Sequence, residues 1–185
     1  MKKILSAIFA LSLISSCAAL NSFKKPDALD SLNSDAKFDV KKFFNGDLEG
    51  FAIIQDSDGK IIETQKIKIN GKWDENKGVI QQDFIYSGGQ KDSRTWLVTI
   101  DGQNSFSAIG HDIAAPAQGK QVGNAMQMLY SLMLLNGNEK TKSKVNFADK
   151  IYLVDEKSAI MISDSTIGFS APKRAIFSLK KLGKD

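Results

Sequence analysis

The sequence predicts a mainly β protein: an antiparallel, up-and-down barrel of about nine or ten strands, preceded by a signal peptide and a flexible tether. Two observations predict it. From Gly46 onward, apolar and polar residues alternate with the two-residue period of half-buried strands. Short Gly-, Asn- and Asp-containing turns separate these runs and make neighbouring strands antiparallel. A sheet of this many strands must curl or close, and closure removes its edges.

The run from Lys60 to Trp73 is the clearest strand, with Ile61, Ile67, Ile69 and Trp73 on one face and lysines on the other. Short connections favour a lipocalin-like barrel, whereas a β-sandwich would need longer crossovers. The other predicted strands are Leu48–Gln55, Val79–Tyr86, Arg94–Ile100, Ser105–Ile109, Met126–Leu134, Lys144–Val154, Ala159–Ser163 and Ala175–Leu179. Turns are predicted at Asp58-Gly59, Asn76-Lys77-Gly78, Gly88-Gly89, Asp101-Gly102, Asn136-Gly137-Asn138 and Asp155-Glu156.

The first 16 residues have the pattern of an export signal. Lys2 and Lys3 are followed by an uncharged apolar run that is too short for a permanent transmembrane helix. The segment Leu13-Ile14-Ser15-Ser16-Cys17 looks like a lipobox, which predicts cleavage before Cys17 and attachment of diacylglycerol and acyl lipid to its thiol. Several acyl chains anchor a protein stably to a membrane. The alternative is an ordinary signal peptide with a chance cysteine.

Residues 17–37 are predicted to form the lipidated N-terminus and a polar tether, and residues 38–185 a single barrel domain. Ala18 stands where an inner-membrane retention signal typically has Asp, which favours an outer-membrane location facing the periplasm. The segment Phe38–Phe44 is expected to form a short helical turn, with a strand-like plug as the alternative.

Composition excludes several functional classes. Removing 16 of the 185 residues leaves 169, enough for one domain with a sizeable core. Lys2 and Lys3 supply two of the four net positive charges, so the mature chain carries +2, without a basic block for nucleic acid. Cys17 is the sole cysteine, so no disulfide can form within the chain.

No catalytic constellation is recognisable, so the chain is not predicted to be an enzyme. His111 is the only histidine, which excludes a zinc site built on two or three histidines. No Gly-x-Ser-x-Gly elbow accompanies it. We expect His111 to be a turn residue, the alternative being catalysis together with Asp112. No cofactor is predicted besides the lipid on Cys17.

Polar residues within apolar stripes are the candidate ligand-binding residues. Arg94 and Trp96 share one strand face, Asp149 lies within the stripe Val145–Leu153, and Tyr130 lies within the methionine-rich stripe Met126–Leu134. An inward-facing charge must be paired or near water, so Arg94 is expected to pair with Asp149 or Asp83, or to bind a ligand's carboxylate or phosphate. The alternative is a structural ion pair that stabilises the barrel, or an outward-facing charge near a strand end.

An ordered series of short motifs resembles a known family. It comprises Phe44-Asn45-Gly46, Leu48-x-Gly50, Asp58-Gly59, Gly71-x-Trp73, Asp83-Phe84-x-Tyr86, Arg94-x-Trp96, Asp112, Gly123-Asn124-Ala125, Tyr130 and Asp149. The series is similar to a bacterial lipoprotein family classed as a domain of unknown function, number 3833, and covers about Phe44 to Leu179. The resemblance implies a compact, mostly β, lipocalin-like domain on a lipid anchor, and no established activity.

Two functional hypotheses follow. In the first, a membrane-anchored envelope lipoprotein binds a small apolar or amphipathic ligand in an open barrel. In the second, the protein is a structural or assembly factor that docks a protein partner. That hypothesis predicts an exposed apolar patch and a filled core containing Trp73, Trp96, Phe106 and Phe147.

Overall fold

The protein is a closed antiparallel β-barrel, as the sequence predicts. A computed structural model describes residue 29 and residues 36–135, 141–168 and 170–183. Its strands are paired in chain order, and β1 pairs with β10 to complete the circle. They are β1 Gly46–Gln55, β2 Ile61–Asp74, β3 Lys77–Tyr86, β4 Lys91–Ile100, β5 Ser105–Ile109, β6 Ala117–Val122, β7 Ala125–Leu135, β8 Lys142–Leu153, β9 Ser158–Ile167 and β10 Lys173–Lys181.

Several predictions concern residues that lie outside this description. They are the signal peptide over residues 1–16, Cys17, most of the tether and the turn Asn136-Gly137-Asn138. Within the described ranges, no helix is long and apolar enough to cross a membrane.

A short helix, α1 (Val40–Phe43), closes one end of the barrel. The Asp39 side chain caps it by accepting a hydrogen bond from the Lys42 amide at 2.9 Å. Four apolar side chains of this segment are buried in the core: Phe38, Val40, Phe43 and Phe44. The segment therefore forms the predicted helical turn; it also plugs the barrel, but as a helix and not as the strand of the alternative. We call residues 38–45 the plug, and the end it covers the plugged end.

Several contacts hold the plug in place, among them those of Lys181 and Gly71. Lys181 Nζ donates hydrogen bonds to the carbonyls of Lys42, Phe43 and Asn45 at 2.7, 3.0 and 2.8 Å. Gly71 lies directly under the plug, where an added Cβ would fall 1.7 Å from the Phe44 carbonyl oxygen. This close approach of the plug backbone explains why β2 has a glycine at position 71.

Two details of the strands differ from the sequence prediction. β6 was not predicted, because Gln118, Lys120 and Gln121 give it no apolar stripe. Ile61 faces outward and is 54% exposed, since a register shift at Ile54/Gln55 reverses its side relative to Ile67.

The turn expected at Asn76-Lys77-Gly78 is centred one residue earlier. Glu75 takes the positive φ of 47°, and Gly78 belongs to β3. The Trp73 ring packs over Gly78, its cross-strand neighbour, where an added Cβ would approach the ring to 2.7 Å. By contrast, Gly59 and Gly89 occupy their predicted turns at φ 80° and 82°.

Candidate functional site

The barrel interior encloses a cavity of about 520 Å³. Its wall near the plugged end is apolar and includes Phe44, Ile69, Phe106 and Phe177. The opposite end, formed by the connections after β1, β3 and β5, we call the open end. There the lining reaches exposed Asp92 and Lys173, so the cavity opens to solvent on that side. The barrel therefore lacks the filled core that the docking hypothesis predicted.

All four predicted ligand-binding residues line this cavity: Arg94 and Trp96 on β4, Tyr130 on β7 and Asp149 on β8. The two-residue alternation places them there, because inward-facing positions recur at every second residue. The structure brings them together in one wall, and their role in binding stays a prediction.

Three aromatic rings form a continuous wall around Tyr130. Phe147 stacks on Tyr130 with 5.0 Å between ring centroids and an interplanar angle of 4°. Trp96 meets Tyr130 edge-on at 5.1 Å and 84°. These are the arrangements that aromatic quadrupoles favour. The Trp96 ring is also fixed by its indole Nε1, which donates to Gln82 Oε1 at 2.9 Å. Gln82 was missed in the sequence, because the pairing of Arg94 with Asp83 that was considered there would turn Gln82 outward.

Arg94 pairs with Asp112, so the two predicted partners, Asp149 and Asp83, are wrong. Arg94 Nε and Nη2 donate to Asp112 Oδ2 at 3.1 and 3.0 Å, and the two side chains are only 12% and 16% exposed. The guanidinium also lies 5.9 Å from the centroid of the Trp96 ring. Asp83 faces outward, is exposed and accepts a hydrogen bond from Gln81.

Asp112 belongs to the connection between β5 and β6, where no strand pattern could orient it. In the sequence, the signal that pointed to Asp112 was its place in the motif series that resembles the family. Because Asp112 already neutralises Arg94, the guanidinium is not free to bind a ligand's carboxylate or phosphate without losing this partner. The structural ion pair, which was the alternative for Arg94, is therefore the arrangement observed.

Asp149 is the buried acid of the cavity wall, with 5% of its surface exposed. Tyr130 donates its hydroxyl proton to Asp149 Oδ2 at 3.0 Å. The other carboxylate oxygen, Oδ1, is buried without accessible surface. The hydroxyl of Ser163, the cross-strand neighbour of Asp149, is a second donor to the same carboxyl group.

Burial raises the pKa of Asp149 from its ordinary 3.8 to about 6. The nearby hydroxyls of Ser163 and Tyr130 and the positive charge of Arg94 act in the opposite direction without cancelling the effect of burial. Burial, reinforced by the negative charge of Asp149, also raises the pKa of Tyr130 well above 10, so its hydroxyl stays protonated and able to donate.

Other potential chemistry is limited in the described ranges. His111 is exposed in the connection between β5 and β6, outside the cavity. No group of three or more His, Cys, Asp or Glu side chains in the described ranges is placed to hold a metal ion.

On the outer surface, the cross-strand neighbours Val79, Leu97 and Ile109 are each about half exposed and form an apolar patch.

Comparison with known proteins agrees with this architecture. Residues 17–169 match the model of a family described as "Protein of unknown function (DUF3833)". The chain belongs to this family. The DUF3833 chain matches none of the curated proteins at a significant level.

Two solved structures resemble the DUF3833 chain. The S-type phycobiliprotein lyase CPES from Guillardia theta has a TM-score of 0.58 at 8% sequence identity, covering 80% of this chain and 95% of the lyase chain. At that identity the likeness shows the lipocalin-like fold alone. "EF1p2_mFAP2b bound to DFHBI" has a TM-score of 0.42 at 10% identity, covering 76% of this chain and 95% of its own.

Proposed function

We propose that this DUF3833 protein is an envelope lipoprotein whose barrel binds a small apolar or amphipathic ligand. The observation that carries the proposal is the 520 Å³ cavity, apolar near the plug and polar where Arg94, Tyr130 and Asp149 lie. Its volume falls within the ~300–1,000 Å³ of typical small-molecule sites. An apolar wall with a few convergent polar groups suits a ligand that has a hydrocarbon body and one polar head.

The shape of the cavity supports the entry of such a ligand from one side. The plug covers one end with buried aromatic rings, whereas exposed residues such as Asp92 and Lys173 border the other. Leaving an apolar wall of this kind in contact with water is unfavourable, at about 25 cal/mol for each Å² of apolar surface. A ligand that covers this surface gains the corresponding free energy.

The proposal includes a lipid anchor on Cys17, which rests on the lipobox pattern of the sequence. Export, cleavage before Cys17 and acylation would tether the barrel to a membrane, and Ala18 favours the periplasmic face of the outer membrane. Labelling cells with radioactive palmitate tests this directly. We expect label on the wild-type protein and none on Cys17→Ser. Equal labelling of both proteins would contradict the anchor.

Ligand binding is tested by native mass spectrometry of residues 18–185, which contain every described element. We expect a co-purified ligand after detergent-free preparation, or a one-to-one complex after addition of 1-dodecanol. Ala175→Phe should prevent either complex, because Ala175 faces the cavity on β10. Ser178→Phe is the matched control, since Ser178 is exposed on the outer face of the same strand.

A wild-type protein that shows neither a co-purified ligand nor a complex with 1-dodecanol would contradict the proposal. A complex that survives Ala175→Phe as well as Ser178→Phe would contradict the cavity as the binding site.

A further inference from the structure

Two neighbouring positions on the outer face of β7 are covered, although they face away from the barrel interior. Met126 and Met128 line the cavity, so the alternation along the strand turns Ala125 and Gln127 to the outer surface. Ala125 is nevertheless 0% exposed and Gln127 3% exposed. Among the strand residues that the structure describes, the other outward-facing side chains are half-buried or exposed. This face of β7 is therefore unlike the rest of the outer surface.

The neighbouring strands do not account for this cover by themselves. The residues opposite these two are Val122 and Lys120 on β6, and Tyr152 and Lys150 on β8. Those on β6 are exposed, and those on β8 are half-buried. Because a side chain that shields its neighbour from water is itself shielded in return, the β6 side contributes little. A further segment of the chain has to pack on this face from the side of β8.

Leu29 is an apolar residue whose burial matches this face. It is 9% exposed, yet it neither belongs to the interior core around the plug nor lines the cavity. A leucine that is buried away from the barrel interior needs an outer face to pack against. Within the described ranges, the face of β7 at Ala125 and Gln127 is the one that is buried in turn.

The course of the chain brings Leu29 within reach of this face. The Phe38 amide donates to the Gly123 carbonyl at 2.7 Å, so the plug begins beside the turn that leads into β7. The Val40 amide donates to Gln121 Oε1 at 3.0 Å and holds the plug at the same place. The distance along the strand from Gly123 to Gln127 is about 13 Å. The chain between Leu29 and Phe38 can span up to about 30 Å, which is more than sufficient.

The side chains of this face fit an apolar partner. Ala125 is small and leaves room for a branched side chain above it. Gln127 Nε2 is buried without a hydrogen-bond partner in the part of the chain that the structure describes. Water or a polar segment over this amide would supply an acceptor, whereas an aliphatic side chain does not.

We propose that Leu29 packs on the outer face of β7, over Ala125 and Gln127, and fastens the segment before the plug to the barrel wall. With the lipid anchor proposed for Cys17, this contact limits the reach of the tether. The chain from Cys17 to Leu29 spans at most about 40 Å, against about 70 Å from Cys17 to Phe38. The contact itself is independent of the anchor and of the ligand.

The rate of maleimide labelling at Gln127→Cys tests the cover. Residues 18–185 contain no cysteine, so the reagent reacts at the introduced thiol alone. Adding Leu29→Asp should speed this labelling at least about tenfold, because a covered thiol reacts through local opening. Lys68→Cys is the control, since Lys68 is exposed on the outer face of β2, on the opposite side of the barrel. Its labelling should not change with Leu29→Asp.

Equal labelling of Gln127→Cys with and without Leu29→Asp would overturn the proposal, because the side chains of β6 and β8 would then provide the cover. A second measurement does not depend on rates. Under mild oxidation, we expect a disulfide within the chain in Leu29→Cys/Gln127→Cys, detected by mass spectrometry of the digested protein, and none in Leu29→Cys/Lys68→Cys. A disulfide in neither protein, or equally in both, would also contradict the docking of Leu29 on β7.

Discussion

Asp149→Asn is expected to stabilise the barrel more at alkaline than at acidic pH. In the wild-type protein, burial holds the pKa of Asp149 at about 6, against an ordinary value of 3.8. The buried carboxyl group is therefore favourable when protonated and unfavourable when ionised. Its contribution to stability is fully present below pH 3.8 and is lost as the pH rises through about 6.

The magnitude follows from the gap between the two pKa values. At about 1.4 kcal/mol for each pKa unit, the complete loss amounts to about 3 kcal/mol. About half of it, roughly 1.4 kcal/mol, falls between pH 5 and pH 8 by linkage. Asparagine has a similar shape and no charge, so its variant lacks this dependence while Tyr130 can still donate to its side-chain oxygen.

Urea unfolding of residues 18–185 at pH 5, 6.5 and 8 measures the effect. The free energy of unfolding of Asp149→Asn minus that of the wild type should rise by about 1.4 kcal/mol over this range. Asp83→Asn, at an exposed site, should show no comparable rise. A difference between Asp149→Asn and wild type that does not change with pH would refute the reasoning.

Three other contacts are tested by variants, each by urea unfolding or hydrogen exchange. Tyr130→Phe removes a hydroxyl that donates to the buried carboxylate and should lower the free energy of unfolding by about 1–3 kcal/mol at pH 8. Asp112→Asn leaves Arg94 without its charged partner and should cost about 3 kcal/mol, whereas Asp164→Asn, in a more exposed pair with Arg174, should cost under about 1 kcal/mol. Gly71→Ala should displace the plug, cost about 2 kcal/mol and speed amide exchange over residues 38–45, while unchanged exchange would contradict the contact with Phe44.

The inward-facing stripes could be predicted from sequence because the period of two specifies a face. The alternation predicted that Arg94, Trp96, Tyr130 and Asp149 face one interior, and the structure places them there. The same rule gave the wrong face for Asp83, since the period alone does not say which of two mixed faces is buried.

Features that depend on contacts between distant segments could not be predicted in this way. β6 is polar, and its Gly119 leaves room for the Phe106 ring, to which an added Cβ would approach within 2.1 Å. The partner of Arg94 comes from an irregular connection, and the outward turn of Ile61 depends on a local shift in strand register. The first two segments have no apolar period of their own, and the register shift interrupts the period at Ile61.

A crystal structure of residues 18–185 with 1-dodecanol tests the central claim most directly, because it shows both the cavity and its occupant. The account predicts one hydrocarbon chain inside the barrel, with its hydroxyl near Arg94, Tyr130 and Asp149 and its tail toward the plug. An interior filled by side chains, or a ligand bound only on the outer surface, would contradict the account.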